Sequence, residues 1–396
     1  MSQAIYIKDM MESSRLKVFN VGKNIPIESQ TRCPSCDLSL TTLCLLVNKN
    51  RDQKIKYGLC TTCGYMGYID RPEQSWMIEY YNNVWDKDVP VSEAEILNRT
   101  ILPGKGIKPS GYLAASLIDK INTDKNKTVC EVGTGYGEVL RYFQDRGFKN
   151  LVGVENSKHR ANLVHKVFGF DVIHGEFGSS KVQEQLLQHQ PIGLVFSHHV
   201  LEHVYNPQKV LESISALQGL GDHLILALPN ALGEHINNGP LFLPHLHSFT
   251  KESLEILLNK NGYQIVINSS PENFNTIFAA QKVQNPQPRL KPEGDYLGAA
   301  LARLRKGLAI DQIKINKLYW LYWGWGQDQD QAKLLSESSG GLFPKVSWYL
   351  AKKIAFIKAG LFKRFASGCT MLVANGESQG NVLEIQFDKN IKVFVK

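Results

Sequence analysis

The chain has 396 residues, 43% hydrophobic and 10% aromatic, enough apolar material for two or three packed domains and too much for a disordered chain. No apolar run is long enough to span a bilayer, and the opening MSQAIYIKDMMESSRLKV mixes charge throughout without a signal-peptide centre, so a cytoplasmic location is expected. The net charge of +8 is local: residues 341–396 hold nine Lys or Arg against three acids, and all eleven histidines fall between His159 and His247.

Residues 31–70 combine short apolar pieces, turn residues and two cysteine pairs, which reads as a small metal-stapled β unit. The stretches EQSWMIEYYNNVWDK and SGYLAASLIDKI read as helices, broken by ILPGKGIKPSG. From residue 128 strands and helices alternate. TVCEVG, LVGVE, DVIHG, PIGLVFS and DHLILALPN are the strands; EVLRYFQDRG, HRANLVHKVFG, NPQKVLESISALQ and KESLEILLNKNG are the helices. YQIVINSS and TIFAAQKV add two more strands. Repeated strand–helix units predict a mostly parallel sheet with helices on both faces. After about residue 284 the pattern changes to a Pro-rich opening, an aromatic stretch (LYWLYWGWG), a polar loop, a basic helix and two β-like runs.

Cys33-Pro-Ser-Cys36 and Cys60-Thr-Thr-Cys63 are C-x-x-C turns separated by 23 residues. Such turns point backbone N–H groups at sulfur, and four thiolates at this spacing make a closed tetrahedral site, so Cys33, Cys36, Cys60 and Cys63 are read as ligands of a structural zinc ion.

Glu131-Val-Gly133-Thr-Gly135-Tyr-Gly137 follows the first of the alternating strands. A glycine turn between strand and helix offers backbone N–H groups to a ligand at a helix N-terminus, where any Cβ would stand in the way. The spacing is G-x-G-x-G rather than the G-x-G-x-x-G of dinucleotide folds. The second strand ends in Glu155, placed to accept hydrogen bonds from two ribose hydroxyls.

These residues resemble the class I S-adenosylmethionine (SAM)-dependent methyltransferases, over roughly 128–283. The resemblance implies a Rossmann-like α/β sheet that binds SAM, with Glu131 near the methionine portion, Gly133, Gly135 and Gly137 lining it, and Glu155 on the ribose. It also implies an acid facing the adenine amine, matched by Gly175-Glu176-Phe177. The stretch Ser197-His-His-Val-Leu-Glu-His203-Val-Tyr-Asn-Pro207, and Pro244-His-Leu-His-Ser-Phe-Thr250, resemble the group that methylates small molecules and sugars. The order of ribbon, helical linker with Tyr80 and Tyr81, and SAM domain is similar to methyltransferases of nucleotide-linked deoxysugars. That likeness stops near 284, where those enzymes carry a second Rossmann-like domain and this chain does not.

The expected organisation is therefore an N-terminal segment and zinc ribbon (1–70), a helical linker (71–127), a SAM-binding domain (128–283) and a basic α+β extension (284–396). A base must take a proton if the acceptor is a hydroxyl or an activated carbon, and histidine suits this near neutral pH. His203, His199 and His247 are the leading candidates, with His198 and His245 beside them and Glu202 placed to orient His203 or to cap the next helix. A His/Glu set there could also hold a divalent metal. In the tail, Leu350, Ile354, Ile357, Leu361 and Phe365 recur at helical spacing opposite Lys345, Lys352 and Lys363. This basic amphipathic helix either packs on its own domain or contacts an anionic membrane surface. The expected reaction is methyl transfer to a sugar-linked small molecule. RNA or protein methylation, with ribbon and tail as docking elements, and a non-catalytic scaffold are the competing readings.

Overall fold

The computed structural model describes residues 25–48, 53–81, 92–100, 109–233, 243–270, 275–288, 290 and 294–303, together with strands Ala4–Ile5, Met371–Leu372, Leu383–Asp388 and Ile391–Val395. The elements run β1 (Ala4–Ile5), β2 (Ile27–Ser29), β3 (Thr41–Asn48), β4 (Gln53–Leu59), β5 (Met66–Tyr68), β6 (Asp70–Pro72), α1 (Gln74–Tyr80), α2 (Glu93–Thr100) and α3 (Pro109–Ala115). The alternating region follows as β7 (Thr128–Val132), α4 (Glu138–Gln144), β8 (Leu151–Glu155), α5 (Lys158–Phe168), β9 (Asp171–His174), α6 (Ser180–Leu186), β10 (Ile192–His198), α7 (Pro207–Leu217) and β11 (His223–Pro229). Last come β12 (His247–Ser248), α8 (Lys251–Lys260), β13 (Tyr263–Asn268), β14 (Asn275–Lys282), β15 (Met371–Leu372), β16 (Leu383–Asp388) and β17 (Ile391–Val395).

The main sheet has seven strands in the order β13-β14-β11-β10-β7-β8-β9. Pairs among β7 to β11 are parallel, while β14 runs antiparallel between β11 and β13. Chain order reverses between β7 and β10, and ligands of open α/β sheets bind outside the carboxyl ends of the strands at such a point. The strands read as continuous apolar runs because both faces are covered. Along β10, Leu194 and Phe196 enter one core cluster and Val195 the other.

Local chemistry sets the helix starts. Ser157, Ser179 and Asn206 accept from the backbone N–H three residues on, and Thr250 with Ser253 forms a capping box at α8. Helix α6 was not singled out in the sequence; its short SKVQEQL carries only two buried side chains, Val182 and Leu186.

A second, antiparallel sheet has the order β12-β5-β4-β3-β17-β16. Its edge strand β12 belongs to the segment following β11, so the cysteine-bearing unit and the alternating region are stitched by main-chain pairing, with His247 opposite Gly67 and Ser248 opposite Met66. The two β-like runs of the tail are β16 and β17, and β17 pairs with β3. The aromatic stretch and the basic helix around 345–365 lie outside the described residues. No helix among the described residues is long and apolar enough to cross a membrane.

Candidate functional site

The glycine turn follows β7. Gly133, Gly135 and Gly137 all have positive φ, at 77°, 57° and 77°, which other residues adopt at a cost. Their surroundings differ. A Cβ on Gly133 would lie 2.3 Å from Val200 and one on Gly137 2.8 Å from Val164, so these two allow close packing. A Cβ on Gly135 would meet only the Gly133 carbonyl, at 3.9 Å, so it faces open space, where a ligand backbone can approach. Gly153 in β8 serves the same turn, since a Cβ there would sit 2.3 Å from Thr134 Oγ1.

Two acids frame this cradle. Glu155 accepts from the Gly135 N–H (2.8 Å, Oε2) and from the Ser157 N–H (2.9 Å, Oε1). Those two bonds fix the carboxylate at the edge of the cradle. Glu131 is buried, and its Oε2 has no hydrogen-bond partner. Burial, then the Glu138 and Glu155 charges, push its pKa well above the usual carboxylate range, against one backbone bond from Leu140. An orphaned buried carboxylate oxygen beside a glycine cradle suits a ligand with a cationic group, such as the ammonium of SAM.

The remaining residues expected at the cofactor are placed as follows. Glu176 is half-exposed after β9, and both its oxygens accept from Gln74 Nε2 of α1 (3.1 and 3.0 Å). Phe177 is buried in the core cluster beneath it, supporting the loop rather than lying open to a ligand. Ser197 is buried within β10, opposite Val132 and Leu226.

The turn after β10 carries the histidines. His199 has φ 55°, a strained value for a residue with a side chain, and its N–H is tied to the Ala227 carbonyl at 2.8 Å. Its Nδ1 lies 3.0 Å from Oε1 of Glu202, which is 2% exposed. Burial raises the Glu202 pKa, but the His199 hydrogen bond and the nearby His203, His199 and His245 outweigh it and bring the acid down to about 2. The ionised carboxylate therefore orients His199 through Nδ1 and leaves Nε2 for a reacting group. Val200, next in the chain, is the residue that packs on Gly133. His198 Nε2 lies 2.9 Å from Ser110 Oγ of α3.

His203 Nδ1 lies 3.0 Å from the Pro244 carbonyl and 2.9 Å from the Tyr81 hydroxyl. A carbonyl only accepts, so Nδ1 carries the hydrogen and Nε2 keeps its lone pair. Burial lowers the His203 pKa against the raising effect of Glu202. His247 is different. Its Nε2 faces the Val204 carbonyl at 3.0 Å, its Nδ1 faces the Tyr65 hydroxyl at 2.6 Å, and the ring is 1% exposed. Both nitrogens are engaged, and burial brings its pKa down to about 3, so His247 is a neutral strut with no atom left for a substrate.

The four cysteines come together as the spacing predicts. Cys33 and Cys63 sulfurs are 3.6 Å apart, and those of Cys36 and Cys60 3.4 Å. A tetrahedron with 2.3 Å bonds to sulfur has edges of about 3.8 Å, so this donor set fits zinc with little rearrangement. Gly64 closes the second turn at φ 74°, where a Cβ would strike Tyr296 and Thr250. The cluster is joined to the alternating region at several points. Thr250 Oγ1 donates to the Cys63 carbonyl (2.8 Å), and Tyr57 Oη to Ser248 Oγ (3.0 Å). Arg71 Nη1 donates to the Tyr205 carbonyl (2.7 Å) with its guanidinium 3.8 Å from the Tyr205 ring centroid. Arg71, Tyr57 and Tyr65 were not legible as site residues; their partners lie far away in the chain.

Residues 110–267 match the family model described as a methyltransferase domain. No curated protein matches. Solved structures similar to the chain include a SAM-dependent methyltransferase from Aquifex aeolicus (12% identity, TM-score 0.37, covering 49% of this chain and 100% of that one). Another is a SAM-dependent methyltransferase from Archaeoglobus fulgidus (16%, 0.34, 44% and 94%). A third is the CcbJ methyltransferase from Streptomyces caelestis (13%, 0.38, 51% and 97%). The glycine cradle at the end of β7 lies inside the span that matches a methyltransferase domain.

Proposed function

We propose that the protein transfers the methyl group of SAM to a hydroxyl of a sugar-linked small molecule, such as a nucleotide-sugar or glycan precursor, with His199 as general base. The carrying observation is the pair His199–Glu202, 3.0 Å apart on the turn that packs against the glycine cradle. His203 was the first candidate for this role in the sequence. His199 takes its place here because its Nε2 is turned away from Glu202, whereas His203 Nε2 lies 3.9 Å from that acid.

When bound, SAM supplies a methyl group on a sulfonium leaving group. Glu131 and Glu155, with the glycines between, would hold its ammonium and ribose and fix the direction of attack. His199 Nε2 would take the hydroxyl proton as the acceptor oxygen bonds to the methyl carbon, and Glu202 would stabilise the resulting imidazolium. Alignment of acceptor and methyl supplies much of the rate, so walls matter as much as the base.

Support for a small acceptor comes from what packs on this turn. The cysteine unit, which would hold a structural zinc ion at Cys33, Cys36, Cys60 and Cys63, pairs through β5 with β12, and Tyr81 of the linker lies against His203. A turn packed on from two sides suits a small acceptor better than a duplex nucleic acid. The division into ribbon (1–70), linker (71–127), SAM domain (128–283) and basic extension (284–396), and a place in the cytoplasm, belong to the same reading.

Labelled SAM should be offered to the full chain with nucleotide-sugars, RNA and peptides in parallel. Transfer to a nucleotide-sugar is expected. Transfer to RNA or peptide alone overturns the acceptor assignment, and SAM binding without transfer to anything favours a non-catalytic scaffold.

A further inference from the structure

We propose that Glu202, His203 and His245 form a second metal site, distinct from the four cysteines, that takes a divalent transition-metal ion. Their ligand atoms lie within 4.8 Å of one another, and the His203 and His245 rings are 4.7 Å apart between centroids. Two imidazoles and one carboxylate are a donor set suited to zinc, iron(II), cobalt(II) or manganese(II), with coordination positions left for oxygen ligands.

Three features point the same way. The first is the tautomer of His203. Its Nδ1–H is held by the Pro244 carbonyl, the outer-shell bond that metal-ligating histidines characteristically make, and Nε2 is the nitrogen left to coordinate. The second is the pairing of Nε2 with Glu202. The two atoms are 3.9 Å apart, too far for a hydrogen bond and close enough for one ion to bridge with two bonds. The third is Glu202 itself. It is 2% exposed and its Oε2 has no hydrogen-bond partner, an expensive condition unless something charged completes it.

Ideal bonds of about 2.0–2.1 Å to nitrogen and oxygen place ligand atoms roughly 3.3 Å apart, so binding needs only a small inward movement of the side chains. Pro244 and His245 follow the segment after β11, while Glu202 and His203 follow β10, so the ion would clamp two loops at the carboxyl end of the sheet. Glu202 would then serve both the ion and His199. The ion rests on this geometry alone. Its further role, polarising the acceptor hydroxyl whose proton passes to His199, rests on the function proposed above.

Cobalt(II) titrated into the zinc-loaded full chain tests the site. One additional equivalent is expected, with visible bands of a nitrogen/oxygen site and no added thiolate-to-metal charge transfer. His245→Ala should weaken that equivalent about ten-fold or more while SAM affinity, read by calorimetry, stays unchanged. His245→Asn supplies the same reading if His245→Ala does not fold. No cobalt uptake beyond the cysteine site, or uptake equal in wild type and variants, overturns the proposal. Methyl transfer that persists without the second ion would leave the methyltransferase reading standing and remove only the ion's part in it.

Discussion

The Tyr65 hydroxyl donates to Nδ1 of His247 across 2.6 Å, joining two residues 182 positions apart in the chain. The direction of this bond follows from the other end of the ring, where Nε2–H is given to the Val204 carbonyl. His247 also donates its backbone N–H to the Glu202 carbonyl at 3.1 Å. A tyrosine beside the cysteines thus braces the residue that braces the acid of the histidine turn.

Tyr65→Phe removes the donor and leaves His247 Nδ1 buried without a partner. A loss of about 1–3 kcal/mol in unfolding free energy is expected. Denaturant unfolding of Tyr65→Phe, His247→Phe and the double variant gives the coupling; strictly additive effects would show that the bond carries no stability.

Gly135→Ala separates cofactor binding from folding. Left-handed strain costs about 1–2 kcal/mol, and the new methyl group occupies the cradle. Gly169→Ala is the control, because Gly169 has the same kind of φ (71°) with nothing within 4 Å of an added Cβ. Both variants should lose similar stability, but only Gly135→Ala should lose SAM affinity, by about ten-fold or more. Equal affinity in the two would move the cofactor elsewhere. Glu155→Ala is expected to abolish SAM binding while the circular dichroism spectrum is kept.

On the proposed function, Glu131 is expected to make SAM affinity depend on pH. In the free protein its pKa is raised, so it holds a proton at pH values where an ordinary carboxylate is ionised. An ammonium bound beside it favours the ionised form, so binding expels a proton below the free-state pKa and affinity rises with pH through that window. Calorimetry in buffers of different ionisation enthalpy reads the proton count. Glu131→Gln should flatten the pH dependence; proton release undiminished in that variant would exclude Glu131.

His199→Ala should lower kcat by about 10²- to 10⁴-fold with SAM affinity intact, the range expected for a lost general base. Glu202→Gln should follow it, since the amide can no longer stabilise the imidazolium. A variant His199→Ala as active as the parent would return the role to another group.

The parallel sheet was legible because each strand is a short apolar run and each helix carries its own punctuation: Gly147, Gly169 and Gly262 at helix ends, Asn206-Pro207 at a start. The cysteine site was legible because its ligands come in local pairs. Much of the histidine turn was not. His199, His203 and His247 look alike in sequence, and what separates them is a φ of 55°, a Pro244 carbonyl and a Tyr65 hydroxyl, contacts up to 182 residues distant. Strand β12 is two residues long, too short for any periodicity, yet it joins the two sheets. Phe177 follows an expected adenine acid but points into the core, a difference that strand alternation could not resolve in a loop.

The β5–β12 pairing gives the sulfur cluster leverage over chemistry it never touches. An electrophile or oxidant that captured those four thiols would slacken Tyr65 and Thr250, free His247, and let Glu202 drift from His199. The catalyst would then keep its grip on the methyl donor and lose its aim, a failure visible in turnover and silent in cofactor affinity.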